Sequence, residues 1–215
     1  MGDEIKMYTL DDIKNYKRAY GWTNLLTIPL KRVLSKIFTF KREMVLYSSL
    51  SDPVPYREPS EGINIRKASN EDLNRLKDIR PNTKLFRKWL ENDSLFLIAL
   101  DGDKVIGYSC SESHPIKPLD KVVKLKSDEV WGHNAFILAE YRGKGIYSSM
   151  FFLGAQMLKE QGVKRVLGSI DFRNHRSMKI HKKFGGKEVG RVTYLKFPGF
   201  EKIWFEEHKN GKIAQ

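Results

Sequence analysis

The segment Glu140-Tyr141-Arg142-Gly143-Lys144-Gly145-Ile146-Tyr147 places two glycines and two cations between two apolar patterns. Residues 130–138 before it are mostly apolar, as is typical of a strand, and apolar residues after it recur at helical spacing up to Gly162. A helix that begins at such a junction points the free N–H groups of its first turn outward and has partial positive charge there. We therefore expect the junction to bind an anion, and a pyrophosphate is the natural candidate.

Two common phosphate loops do not fit this segment. A Walker loop needs a leading glycine and a hydroxyl after Gly-Lys, where this chain has Leu138 and Gly145. The dinucleotide fingerprint needs a last glycine where the chain has Ser148. The segment instead resembles the pyrophosphate loop of the GNAT superfamily of acyl-CoA-dependent N-acetyltransferases, Arg/Gln-x-x-Gly-x-Gly/Ala. Arg142 and Gly145 match that pattern, and Tyr147 replaces its small last residue.

A second segment, which begins at Asn174 and ends at Gly186, resembles the other cofactor motif of this superfamily, Asn-x-x-Ala/Ser-x-x-Leu-Tyr-x-Lys-x-Gly-Phe. Asn174 is expected to cap the helix that follows and to offer its amide to the pantetheine arm of the cofactor. Ser177 is the small residue that lets the cofactor lie against the helix. His181 occupies the position where a tyrosine usually acts as general acid, so it is predicted to protonate the departing thiolate. The alternative is that His181 only packs beside coenzyme A.

The resemblance also implies main-chain contacts with acetyl-CoA. The oxyanion would meet N–H groups of residues 135–137, where two central strands splay apart, and the pyrophosphate would meet the backbone of residues 143–148. The predicted cofactor-binding residues are Ala135, Phe136, Ile137, Arg142, Gly143, Lys144, Gly145, Ile146, Tyr147, Ser148, Asn174 and Ser177.

Acyl transfer to an amine also needs a base, because an alkyl ammonium with a pKa of about 10.4 is rarely neutral at pH 7. Asp171 and Glu129 lie at the ends of predicted central strands and are the candidate catalytic carboxylates, together with His181 as the acid. His133 is a further candidate base. Asp171 and Glu129 can instead be solvated charges at strand ends. His133 can instead be a histidine with satisfied hydrogen bonds in its strand.

The order of elements from residue 63 is β-α-α-β-β-β-α-β-α-β-β, which is the order of the GNAT fold. We therefore predict an α+β (α/β) fold with a mixed, mostly antiparallel central sheet flanked by helices and with an N-terminal helical extension. Residues 63–215 would form the acetyltransferase domain, and residues 1–62 the extension.

The extension contains a predicted basic amphipathic helix, followed by a proline-rich linker at residues 51–60. Such a helix can cover the sheet with its apolar face, or it can attach residues 29–42 to an anionic membrane surface. Its apolar face would be Leu30, Val33, Leu34, Ile37 and Phe38, and its basic face Lys31, Arg32, Lys36, Lys41 and Arg42.

The 215-residue chain has 39 Lys and Arg against 26 Asp and Glu, a formal charge of +13, which favours acidic partners. The phosphates of coenzyme A satisfy this preference, and a nucleic-acid partner is disfavoured because no nucleic-acid-binding signature occurs. The single cysteine, Cys110, excludes an internal disulfide and favours a cytoplasmic setting. The five histidines lack metal-binding spacing, so no metal is expected, and no apolar run is long enough to span a membrane.

The function predicted from these features is N-acetyltransfer from acetyl-CoA to a primary amine, by direct attack in a ternary complex. The alternative is a GNAT-like module that binds acyl-CoA with little catalysis. The acceptor and the oligomeric state are not specified by the sequence.

Overall fold

The computed structural model describes residues 38–208 except 54, 55, 57, 81 and 93. Within these residues the strands are β1 (Thr39–Ser49), β2 (Ile63–Lys67), β3 (Leu95–Asp101), β4 (Lys104–Glu112), β5 (Glu129–Ile137), β6 (Arg165–Asp171), β7 (Lys187–Phe197) and β8 (Phe200–Glu207). The helices are α1 (Leu73–Leu76), α2 (Lys84–Glu91), α3 (Ile146–Glu160) and α4 (His175–Lys183). Every strand and helix predicted between residues 63 and 208 is present, with ends that differ by at most a few residues.

The eight described strands form one sheet in the order β2-β3-β4-β5-β6-β1-β7-β8. The pair β5–β6 is parallel, and the other six neighbouring pairs are antiparallel. The predicted mixed, mostly antiparallel sheet flanked by helices is therefore confirmed.

The parallel pair is short, and its two strands then diverge. Glu129, Val130 and Trp131 pair with residues 165–167 of β6, and no residue of β5 after Trp131 has a partner on β6. On its other side β5 carries a bulge against β4, because the register shifts between Tyr108 and Cys110. Asn134 lies in this bulge in the left-handed region, with φ 53°, a conformation that asparagine tolerates better than most residues. The bulge bends β5 where it leaves β6.

Both faces of the sheet are covered, which explains why β3 is a continuous apolar run rather than an alternating one. Phe96 and Ile98 face a core that includes Phe86 and Trp89 of α2. Leu97 and its neighbours on the opposite face pack against α3. A third core lies under the loop of residues 116–125. This loop covers Trp131 and apolar residues of β1, β6 and β7.

The strand β1 corrects part of the prediction for the extension. Residues 39–42 belong to a strand and not to the end of an amphipathic helix, and the sheet therefore continues across the boundary predicted between residues 62 and 63. Seven residues of β1 pair with β6, and a longer stretch pairs with β7. The run Met44-Val-Leu-Tyr47 inside β1 is apolar and rich in strand-forming types, but the helical spacing of the residues before it obscured that signal. The rest of the predicted helix, residues 30–37, lies outside the described residues.

None of the helices in the described part of the chain is both long and apolar enough to cross a membrane.

Candidate active site

A cavity of about 280 Å³ occupies the space that β5 and β6 open as they diverge. It is bounded by these two strands, by β1 on the far side of β6, and by α3 and α4 above the sheet. The polar groups that line it include His133, Asn134, Asp171, Asn174 and His181. Because the strands are unpaired here, main-chain groups as well as side chains face the cavity. This cavity, with the loop of residues 142–148 that leads into α3, is the candidate active site.

The glycine loop has the backbone that its sequence predicts. Gly143 and Gly145 have φ values of 83° and 82°, a region that residues with a Cβ rarely adopt, and Gly145 is the residue before the first turn of α3. A Cβ on Gly143 would meet no atom within 4 Å, so its surroundings are open on that side. The loop is held in place by Arg142, whose Nε donates to the Ile137 carbonyl at 2.9 Å. The start of α3 therefore presents its N–H groups next to the cavity, as an anion site requires.

The second motif also forms as predicted. The Asn174 side chain accepts a hydrogen bond from the Ser177 N–H at 3.1 Å and so caps α4. Asn174 and Ser177 line the cavity, and residues of α3 such as Tyr147 and Met150 line it as well.

Tyr147 and His181 meet across the cavity, one on α3 and the other on α4. The Tyr147 hydroxyl lies 3.2 Å from Nε2 of His181. Burial lowers the pKa of His181 to about 4, so its imidazole is uncharged at neutral pH. Burial also raises the pKa of Tyr147, which stays a phenol. The lowered pKa does not favour the imidazolium acid that the sequence predicts for His181, and a phenol lies beside it on α3.

A histidine and a carboxylate form a buried pair on the α2 side of the cavity. Nε2 of His133 lies 2.6 Å from Oε2 of Glu112, and the two side chains are 6% and 4% exposed. Burial lowers the pKa of His133, more strongly than the Glu112 carboxylate raises it, and Lys88 and His114 lower it further. Because a carboxylate only accepts, Nε2 carries the hydrogen, and the lone pair of the neutral ring is on Nδ1. The Asn134 amide donates to that Nδ1.

No motif or spacing in the sequence singles out Glu112. It follows Tyr108 and Cys110 at alternate positions of β4, and Cys110 is the register partner of His133. This alternation indicates that Tyr108, Cys110 and Glu112 share one face of β4. It points to His133 only once the pairing of β4 with β5 is known.

Cys110 lies near this pair, with its ligand atom and those of Glu112 and His133 all within 4.8 Å of one another. Nε2 of His133 and Oε2 of Glu112 are in direct contact at 2.6 Å, whereas two ligands of one tetrahedral zinc ion stand about 3.3 Å apart. Burial also raises the pKa of the Cys110 thiol, which keeps it protonated among apolar neighbours. This cluster therefore has the geometry of a proton-transfer pair rather than of a metal site.

The two predicted carboxylates have different surroundings. Glu129 is buried at the paired end of β5, where Oε1 lies 2.8 Å from an Arg165 guanidinium nitrogen in an ion pair and Oε2 accepts from the Lys126 N–H. Glu129 does not line the cavity, so the structure does not bring it to the site. Asp171 does line the cavity, but both of its oxygens accept from the Arg173 guanidinium, at 2.9 Å and 2.6 Å.

The predicted cofactor residues fall into three groups. Ala135, Tyr147, Asn174 and Ser177 line the cavity, whereas the rest of residues 142–148 form the loop and the first turn beside it. The Ile146 side chain is buried in the core under α3, so only its backbone is available. Phe136 and Ile137 follow the bulge but pair with β4, and the Phe136 ring stacks on Tyr108 at 5.7 Å.

Solved structures share this architecture at low sequence identity. A tandem GNAT protein from the clavulanic acid biosynthesis pathway, solved without AcCoA, has a TM-score of 0.57 and 11% identity over 82% of this chain and 60% of that chain. A GCN5-related N-acetyltransferase from Kribbella flavida has a TM-score of 0.53 and 13% identity over 81% of this chain and 65% of that chain. An aminoglycoside N-acetyltransferase solved with CoA has a TM-score of 0.50 and 19% identity over 58% of this chain and 92% of that chain.

These identities establish the fold alone. The chain spans about 60% of the length of the tandem protein. No curated protein sequence matches it. Residues 63–186, more than half of the chain, match the Acetyltransferase (GNAT) family, so the chain belongs to that family, as its two motifs predicted.

Proposed function

We propose that the protein binds acetyl-CoA in the cavity between β5 and β6 and transfers the acetyl group to a primary amine by direct attack in a ternary complex. One observation supports this most strongly. The strands diverge after Trp131 and Leu167, and the glycine loop and the capped start of α4 both lie beside the opening. This arrangement offers an anion site, a channel and unpaired main-chain amides in one continuous space.

The oxyanion of the tetrahedral intermediate would be held by the main chain at the bulge. Asn134 and Ala135 have no register partner on β4, and they have none on β6. These two residues therefore lie outside the paired positions of β5, at the point where the thioester carbonyl would lie in this proposal. Donors fixed in this way stabilise the developing charge without reorganisation.

His133 is the base in this proposal, with Glu112 as the residue that positions it. A neutral imidazole can take the proton of the attacking amine on Nδ1 when the amine displaces the Asn134 amide from that atom, and the lowered pKa of His133 favours the neutral ring. Glu112 fixes the tautomer and compensates the charge that the ring acquires. Asp171 is less suitable as a base, since Arg173 already holds both of its oxygens.

Tyr147 is the acid in this proposal. When His181 carries its hydrogen on Nε2, it donates to the phenol oxygen and leaves the O–H free to protonate the departing thiolate. The C–N bond forms, the C–S bond breaks, and the phenol proton moves to sulfur. Tyr147→Phe removes only the hydroxyl, and we expect it to lower kcat by about 10²-fold. A kcat within twofold of the wild type would contradict this role, and His181→Phe tests the partner in the same assay.

The proposal as a whole is tested by binding and turnover with the full chain. We expect acetyl-CoA to raise the melting temperature, and free thiol to appear only when a primary amine from a panel of sugars, polyamines and peptides is added. No thermal shift with acetyl-CoA or free CoA would overturn the proposal. Binding without thiol release from any amine would favour the alternative of an acyl-CoA-binding module.

A further inference from the structure

We propose that the deep end of the cavity binds the acyl chain of a thioester longer than acetyl, so that the preferred donor is a medium-chain acyl-CoA. This rests on the proposed function, because it assigns a donor to the same site. Unlike acetyl transfer, binding of a longer acyl chain requires apolar space beyond the position of an acetyl group.

The cavity extends along α3 for most of the length of that helix. Tyr147 lines one end and Leu158 lines the other, and eleven residues separate them. At a rise of 1.5 Å per residue this is about 16 Å. Loop residues 142–148 mark the cofactor end, so Leu158 marks the end farthest from the pyrophosphate.

The deep end lies beyond the point where the strands diverge. The thioester would lie beside the bulge at Asn134, in the unpaired part of β5. The cavity continues past this point to Val166, which pairs with Val130 in the closed part of the sheet. On β1 the lining reaches Ser48, the register partner of Val166. An acetyl group at the bulge would leave this space empty.

The lining of the deep end is suited to a hydrocarbon chain. Among the described residues that line the cavity, Asp171 is the charged one and Cys110, His133, Tyr147 and His181 are the other titratable ones, and Asp171 and both histidines belong to its open part. None of the described residues that line the cavity is a lysine or an arginine, so a dicarboxylic acyl group such as succinyl would have no cation to pair with there. The side chains at the deep end are the apolar Leu46, Leu95, Leu97, Met150, Leu158 and Val166, together with the uncharged hydroxyls of Ser48, Ser109 and Ser111, of which the last two pair with Leu97 and Leu95.

Two small residues of α3 lie close to β3 at this end of the cavity. Gly154 and Ala155 both line the cavity. A Cβ on Gly154 would lie 3.3 Å from Cδ1 of Leu97 and 3.8 Å from Cδ2 of Leu95. A larger side chain at position 154 must therefore enter the space between the helix and β3.

The test is a chain-length series measured by calorimetry on the full chain, with free CoA and acetyl-, butyryl-, hexanoyl-, octanoyl- and succinyl-CoA. We expect the affinity to rise by about fourfold for each methylene that is buried, up to the length that fills the cavity. Succinyl-CoA is expected to bind no better than acetyl-CoA. Gly154→Leu should lower the ratio of hexanoyl-CoA to acetyl-CoA affinity by at least about tenfold. Gln156→Leu, on the exposed side of the same helix, is the matched control and should leave the ratio unchanged.

The outcomes separate this inference from the function on which it rests. Equal affinities from acetyl- to octanoyl-CoA in the wild type would overturn the acyl pocket and leave the acetyltransferase proposal intact. No affinity for free CoA or for any thioester would overturn both. If Gly154→Leu does not fold, the wild-type series still decides, and Leu158→Ala, which lengthens the cavity, should move the optimum to longer chains.

Discussion

Two buried carboxylates of neighbouring strands, Glu112 on β4 and Glu129 on β5, differ in the partner that each one has. Glu129 forms an ion pair with Arg165, which keeps its proton at every accessible pH, and it lies where β5 and β6 are paired. Glu112 contacts His133, which can gain or lose a proton and lines the cavity. Their side-chain exposures are nearly the same, 2% and 4%. Burial alone therefore does not mark a catalytic carboxylate, and the difference lies in the partner, because His133 lines the cavity and Arg165 does not.

The largest effect that follows from this contrast is on the rate. We expect His133→Gln to lower kcat/KM by about 10²- to 10⁴-fold, because the variant loses the group that accepts the proton of the amine. The measurement is thiol release at saturating acetyl-CoA with an amine that the wild-type protein uses. A thermal melt of the same sample should show a folded protein. Turnover within twofold of the wild type would remove His133 from the mechanism.

The second effect is on stability, at the other end of β5. Glu129→Gln leaves the mostly buried Arg165 guanidinium without its countercharge, and we expect a loss of about 3 kcal/mol in the free energy of unfolding. Urea denaturation measures this loss, and kcat/KM of the folded fraction should not change. The double variant Glu129→Gln with Arg165→Gln should recover part of the loss. If Glu129→Gln instead reduced turnover without reducing stability, the contrast between the two carboxylates would be wrong.

The smallest effect is on the pH dependence. The Glu112 carboxylate raises the pKa of His133, so Glu112→Gln should lower that pKa further below its ordinary value of 6.5. Because the base must be unprotonated, activity is lost as the pH falls through the pKa of His133. The acid limb of the kcat/KM profile should therefore move to lower pH in the variant, with a loss of about tenfold on its plateau. An acid limb that stays in place would mean that Glu112 has only a structural role.

Features that depend on neighbouring residues were predictable from the sequence. The cap at Asn174, the positive φ values of Gly143 and Gly145 and the hairpin around Gly102 each depend on a few adjacent residues, and all of them form. The order of elements from β2 to β8 followed from the same kind of pattern, since hydrophobic periodicity is local information.

Features that depend on strand pairing were not predictable in this way. Glu112 and His133 meet because β4 pairs with β5 in a register that places Cys110 opposite His133, and a shift of one residue would turn either side chain to the other face. Tyr147 and His181 meet because α3 and α4 flank one cavity, although 34 positions separate them in the chain.

The sequence by itself determined the family, the loop that offers main-chain amides to an anion and the capped helix that faces it, because short segments fix their own backbone conformation. Only the tertiary structure decided that residues 39–49 are a strand between β6 and β7, that His133 has a buried carboxylate partner, and that the cavity continues past the bulge toward Leu158. These results come from register, strand divergence and packing between distant segments. Register, divergence and packing depend on which surfaces meet in the folded chain, so no single local residue pattern predicts them.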